Sequence, residues 1–141
     1  MISLLSGINS TAASLDAERI RMDVVAQNIA NVNTTHGVDG KPYQRQQVVF
    51  ESVLRAKQAG DTTAAQSVQI ARIEKDNRAP RMVYMPGHPD ANAQGMVATP
   101  DINIHEEMVD MIAASRTYEA NLAVVKNAHS LAMQALSIGK H

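Results

Sequence analysis

Apolar residues return every three or four positions at both ends of the chain and lose that rhythm in the middle. Near the N-terminus Leu5, Ile8, Ala12, Leu15, Met22, Ala26 and Ile29 keep alternating steps, with Arg19 as the one polar member. That spacing predicts a helix with an a/d seam. Ala13, Ala17, Ile20 and Val24 form a second stripe beside it, and Asp16, Glu18, Arg19, Arg21 and Asp23 supply expected i,i+3 and i,i+4 pairs such as Arg19 with Asp23. At the other end Met108, Met111, Ser115, Tyr118, Leu122, Val125, His129, Ala132 and Leu136 repeat the rhythm over four heptads, again beside a second stripe of Val124, Ala128, Leu131, Ala135 and Ile138. Asn103 followed by Glu106 predicts the N-cap and N3 pair of this helix, with Glu106, Glu107 and Asp110 where the helix dipole favours anions. Arg116, Lys126 and Lys140 come later, as the dipole prefers, and Gly139 is the expected exit.

The helix breakers explain the interruption. All five prolines lie between Pro42 and Pro100, and five of the seven glycines lie between Gly37 and Gly95, so the ends are free to be helical and the middle is not. Strands are expected at QVVFESV (47–53), SVQIARI (67–73), RMVYM (81–85) and GMVATP (95–100). Turn signals separate them at DGKP (39–42), AGDTT (59–63) and PGHPDANAQG (86–95). The expected fold is mainly α with a β-rich insert: the N- and C-terminal helices pair as a coiled coil over residues 1–35 and 103–141, and residues 36–102 form an elongated, hairpin-like central segment.

Composition narrows what such a chain can do. Its 141 residues suffice for one modest core, but only 3% are aromatic and none is Trp, so packing must rely on Ala, Val, Ile, Leu and Met. A net charge of −1 with interleaved signs gives no field for phosphate, and nucleic acid is not an expected partner. The absence of cysteine excludes disulfides and thiolate chemistry. No apolar run is long enough to span a bilayer, and MISLLSGINS has neither the basic nor the apolar region of a cleavable signal. His88, Asp90 and His105 match no metal-ligand spacing. Glu106 and Glu107 are adjacent and point apart on a helix, so they make no acid and base pair. The chain has no phosphate loop, zinc-protease motif or nucleophile elbow. The expectation is a non-enzymatic protein without cofactor or metal.

Each terminal helix would run about 45–50 Å and bury one seam against the other, leaving the second stripes with no intramolecular partner of sufficient size. At about 25 cal/mol per Å2 of apolar area, leaving them wet forgoes several kcal/mol, comparable with the stability of a domain this size. A four-helix dimer, an insert folded back over the helices, or side-by-side polymerisation would each cover them. A stand-alone coiled-coil adaptor remains the alternative function.

SLDAERIRMDVVAQNIANVNTT (14–35) resembles the N-terminal signature of bacterial flagellar rod and hook axial proteins, in which an A-x-N-[IL]-A-N segment closes the first helix. GKPYQRQQVVFES (40–52), MVYMPGHPDANAQGMV (82–97) and EEMVDMIAASRTYEANLAVVKNA (106–128) are similar to the proximal rod members of that family. Met96 stands where the family commonly has Tyr, and residues 55–66 carry no recognisable motif. The resemblance implies a structural subunit that leaves the cytoplasm unprocessed through the flagellar type III export apparatus. It implies polymerisation with copies of itself and other rod proteins into a tube across the periplasm. Leu15, Arg19, Met22, Asn28, Ile29, Asn31, Met108, Met111, Tyr118, Leu122, Val125 and Leu136 are then the candidate seam and subunit-contact residues. Asn31 and Asn33 suit a helix stop because Asn tolerates the left-handed region. Asn28 is the candidate register-fixing residue, bonding a neighbouring chain or the C-terminal helix.

Overall fold

A computed structural model describes residues 2–54 and 66–138 of the protein. Helix α1 spans Ile2–Ala30 and α2 spans Ile104–Ile138; α2 contains neither Gly nor Pro, and α1 only Gly7. Between them lie β1 (Gln46–Leu54), β2 (Gln66–Lys75), β3 (Arg81–Tyr84) and β4 (Met96–Thr99). The expected turn at 59–63, the helix exit at Gly139 with Lys140, and the side chain of Leu5 lie outside the described residues.

Asn103 starts α2 as a cap. Its Oδ1 accepts from the backbone N–H of His105 at 3.1 Å, and its Nδ2 donates to Glu106 Oε1 at 3.1 Å. One donor that the first turn would leave open is thereby satisfied, and the second bond holds the cap side chain in place. Glu106 and Glu107 stand in that first turn, while the last turn holds no basic residue, so the dipole argument applies at the N-terminus alone.

The helices run antiparallel: Asn28, near the end of α1, meets Glu107, and Arg21, two turns earlier, meets Asp110. Their seam is thin. Ala17 and Ala114 are buried, with Val24 and Val25 beside them, and small side chains let the backbones come close.

β1 and β2 form an antiparallel hairpin that packs on α1, pairing Gln46 with Lys75 through to Leu54 with Gln66. A bulge between Val49 and Phe50 breaks the period-2 alternation: Val48 and Val49 are both half-buried and Phe50 is exposed, which is why this strand's pattern is weak in the sequence. β3 and β4 make a second hairpin around the 85–95 loop. Asn92 organises that loop, its Oδ1 accepting from Gln94 N and Met96 N. Gly95 is required where it stands: its φ is +76°, and a Cβ there would sit 2.9 Å from the Tyr84 ring. Asp90 ties the loop to the segment that follows α1 by accepting from Thr35 Oγ1 at 2.7 Å.

Candidate functional site: a buried polar hub and two open helix faces

Where the helix pair meets the insert, the chain buries polar groups instead of apolar ones. Asn28 is fully buried, and its amide makes four hydrogen bonds, the most an amide can make. Nδ2 donates to Gln46 O at 2.8 Å and to Glu107 Oε2 at 2.9 Å, while Oδ1 accepts from Gln46 N at 2.9 Å and from the Tyr43 hydroxyl at 3.0 Å. The two bonds to Gln46 reproduce the pairing of a neighbouring strand, so one helix side chain starts β1. Glu107 is 1% exposed. Its second oxygen accepts from Arg45 Nε at 2.6 Å, a charge-assisted bond. Arg45 also lies 3.8 Å from Asp110 and 3.9 Å from Asp76.

The network continues to the rim. Asp76 accepts from Arg78 Nε at 2.8 Å, and Arg78 reaches Asp101 at 3.4 Å. The hydrogen bond from Arg78 holds the Asp76 carboxyl below its usual range, and the same bond raises Arg78. Burial first, and the Glu107 carboxylate second, push the Tyr43 phenol above its usual value of 10.0. A group with a raised folded pKa contributes stability that is complete below its unfolded pKa and is lost as pH rises through the folded one. The stability difference between the wild type and Tyr43→Phe, followed by chemical denaturation, is therefore expected to be constant at neutral pH and to shrink above about pH 10. A difference independent of pH from 7 to 11 would rule out this coupling.

An open groove of about 380 Å3 beside the hub is lined by Val24, Val25, Val48 and Phe50, with Arg21, Arg45, Glu107 and Asp110 at its polar wall. Those charges are already engaged with one another: Arg21 lies 3.4 Å from Asp110 and 3.7 Å from Glu18. Among the described residues no group of three or more acidic or histidine side chains is placed to hold a metal ion. His88 and Asp90 sit together in the 85–95 loop, 3.7 Å apart, whereas His105 belongs to the first turn of α2. No described helix is long and apolar enough to cross a membrane.

On α1 the seam runs along a different line from the one the spacing predicts, whereas on α2 Met111, Ser115, Tyr118, Leu122 and Val125 of the predicted line do turn inward. On α1 the buried line is Ala17 and Val24 of the expected second stripe, continued by Asn28, while Ile20 of that stripe is exposed and Leu15, Met22 and Ile29 are half-buried on the flank. Arg19 is exposed and makes no ion pair with Asp23. On α2 Met111, Tyr118, Leu122 and Val125 are half-buried along the line of Glu107 and Ala114. Met108 and Leu136 are exposed, at 50% and 62%. Alternating steps of three and four recur in overlapping stripes; the buried hub selects the stripe that carries Asn28 and Glu107. Asn31 is half-buried, and it ends α1 by donating from Nδ2 to Gln27 O at 2.8 Å. No described residue other than glycine has a positive φ, so neither Asn31 nor Asn33 uses the left-handed region expected of it.

Two family models match the parts of the chain that build this arrangement. Residues 8–37 match the model for flagella basal body rod proteins, and residues 93–138 match the C-terminal model of flagellar basal body rod FlgEFG proteins. The flagellar basal-body rod protein FlgC of Borreliella burgdorferi is 41% identical, across 97% of this chain and 98% of its own length. This chain belongs to the FlgC family. FlgC of Bacillus subtilis is 38% identical over 94% of this chain and 96% of its own length, and FlgC of Yersinia enterocolitica is 38% identical over 99% of this chain and all of its own. The first rod model covers Asn28 and Asn31, and the second covers Glu107. Arg45 and Tyr43 fall between the two. Of the hub, the sequence pointed only to Asn28; Tyr43, Arg45 and Asp76 lie in a segment without periodicity, where spacing carries no signal of contact, and Glu107 is indistinguishable by spacing from any other first-turn acid.

Proposed function

We propose that this chain is a non-enzymatic structural subunit of the proximal flagellar rod, polymerising through its terminal helices into the periplasm-spanning tube that transmits torque and lets later axial proteins pass. The observation that carries the reading is the full-length similarity to FlgC proteins at 38–41% identity. The open apolar surface of α2 supports it: Val109, Ile112, Val124 and Leu131 are 53–65% exposed along its length, a cost that a chain meant to stay single would not keep.

In this reading residues 1–35 with 103–141 are the rod-core part and 36–102 the insert. Arg19, Met108 and Leu136 meet neighbouring subunits, while Leu15, Met22, Ile29, Met111, Tyr118, Leu122 and Val125 shape the helix pair. Partners are copies of this chain, other rod proteins and, during secretion without a cleaved signal peptide, the flagellar export apparatus. Deleting the gene and imaging basal bodies by electron microscopy is expected to show the rod missing beyond the membrane ring, restored by the intact gene. Complete rods in the deletion strain would refute the proposal.

A further inference from the structure

Four of the seven described arginines are paired: Arg21, Arg45, Arg72 and Arg78 each sit within 4.0 Å of a carboxylate. Six charges on the outer faces of the two helices are not. Asp16, Arg19 and Asp23 on α1, and Arg116, Glu119 and Lys126 on α2, are all exposed and take part in no hydrogen bond or ion pair among the described residues. On α1 they follow Ala12 and precede Ala26 and Ala30 in steps of four and three, which keeps all six on one side. On α2 they border a second exposed line of Val109, Ala113, Ala120, Val124 and Leu131. The signs answer one another: minus, plus, minus on α1 against plus, minus, plus on α2.

We propose that the outer face of α1 in one copy lies along the outer face of α2 in a second copy, with Asp23 against Arg116, Arg19 against Glu119 and Asp16 against Lys126. Two copies standing side by side in one orientation bring these helices together antiparallel, because α1 and α2 are antiparallel within each chain. In that alignment Ala26 falls opposite Ala113 and Ala30 opposite Val109, small side chains that let the backbones approach, and Lys126 reaches back across about one turn. Exposed ion pairs are individually weak, so they set register and direction while the apolar line supplies the attraction. The contact is heterologous: each copy offers α1 to one neighbour and α2 to the other, and the arrangement propagates instead of closing as a pair. The proposal rests on the rod-subunit reading and adds which faces meet.

The chain has no cysteine, so introduced thiols are its only ones. Full-length Asp23→Cys and Arg116→Cys variants, co-expressed and oxidised in isolated basal bodies, are expected to give a mixed disulfide dimer that neither variant gives alone. As a second measurement, Arg19→Glu is expected to reduce swimming severalfold, and adding Glu119→Arg to restore it. That arm decides if the cysteine variants do not assemble. Basal bodies that contain both cysteine variants without the mixed disulfide, a disulfide between two Asp23→Cys chains, or an Arg19→Glu defect that Glu119→Arg leaves unrelieved would overturn the face pairing and leave rod membership standing. Basal bodies of swimming cells that lack the chain altogether would overturn both.

Discussion

Glu107→Ala is expected to lower the stability of the isolated chain by about 3–5 kcal/mol, the loss typical of removing one partner from a buried charge pair. The carboxylate is 1% exposed, and Arg45, whose side chain is 18% exposed, donates to it at 2.6 Å. Without it the guanidinium keeps only Asp110 and Asp76, at 3.8 and 3.9 Å, and the Asn28 amide loses an acceptor that water cannot readily replace. Thermal unfolding followed by circular dichroism should show a midpoint lower by on the order of 10 °C or more for a chain of this size. Glu107→Gln keeps the shape and the acceptor for Asn28 but not the charge, and should fall between the two. A loss below about 1 kcal/mol for Glu107→Ala would mean that the pair is no better than a surface one.

The second large effect concerns Asn28. Asn28→Leu puts an apolar side chain of similar size in the seam and removes all four amide bonds. The backbone N–H and C=O of Gln46, the Tyr43 hydroxyl and one Glu107 oxygen are left without their partner, at about 1–3 kcal/mol for each group that stays buried and unpaired. The loss should be local before it is global. Hydrogen exchange is expected to accelerate first in residues 43–50, where the amide starts β1, while amides in the middle of α2 keep their protection until the whole chain unfolds. Equal acceleration throughout, or none at 43–50, would show that Asn28 does not anchor the hairpin. Because Asn28 and Glu107 share a bond, the double variant should cost less than the sum of the two single ones.

Both effects lie in residues that local pattern treats unevenly. Asn28 stood out because three asparagines close an apolar helix, and an amide near a seam must find partners. Glu107 looked like an ordinary first-turn acid, indistinguishable by spacing from exposed Glu106. Tyr43, Arg45 and Asp76 sit between turn signals and strands, where no periodicity marks burial. Arg19 and Asp23 show the opposite case: i,i+4 spacing permits an ion pair in a helix, yet the structure leaves both free on an outer face.

What the order of residues determined by itself was the element plan. Two breaker-free ends with steps of three and four become helices, and Val- and Ile-rich runs between prolines and glycines become paired strands, because helix period, strand propensity and turn chemistry are local properties. The thinness of the core also follows from composition, since a chain without Trp and with one Phe can close its helices only over Ala and Val. Tertiary structure alone decided which of two overlapping stripes turns inward on α1 and which acid is buried. Those choices depend on where distant segments arrive: Asn28 and Glu107 are 79 residues apart, and only their meeting with the strand at Gln46 makes burying them favourable.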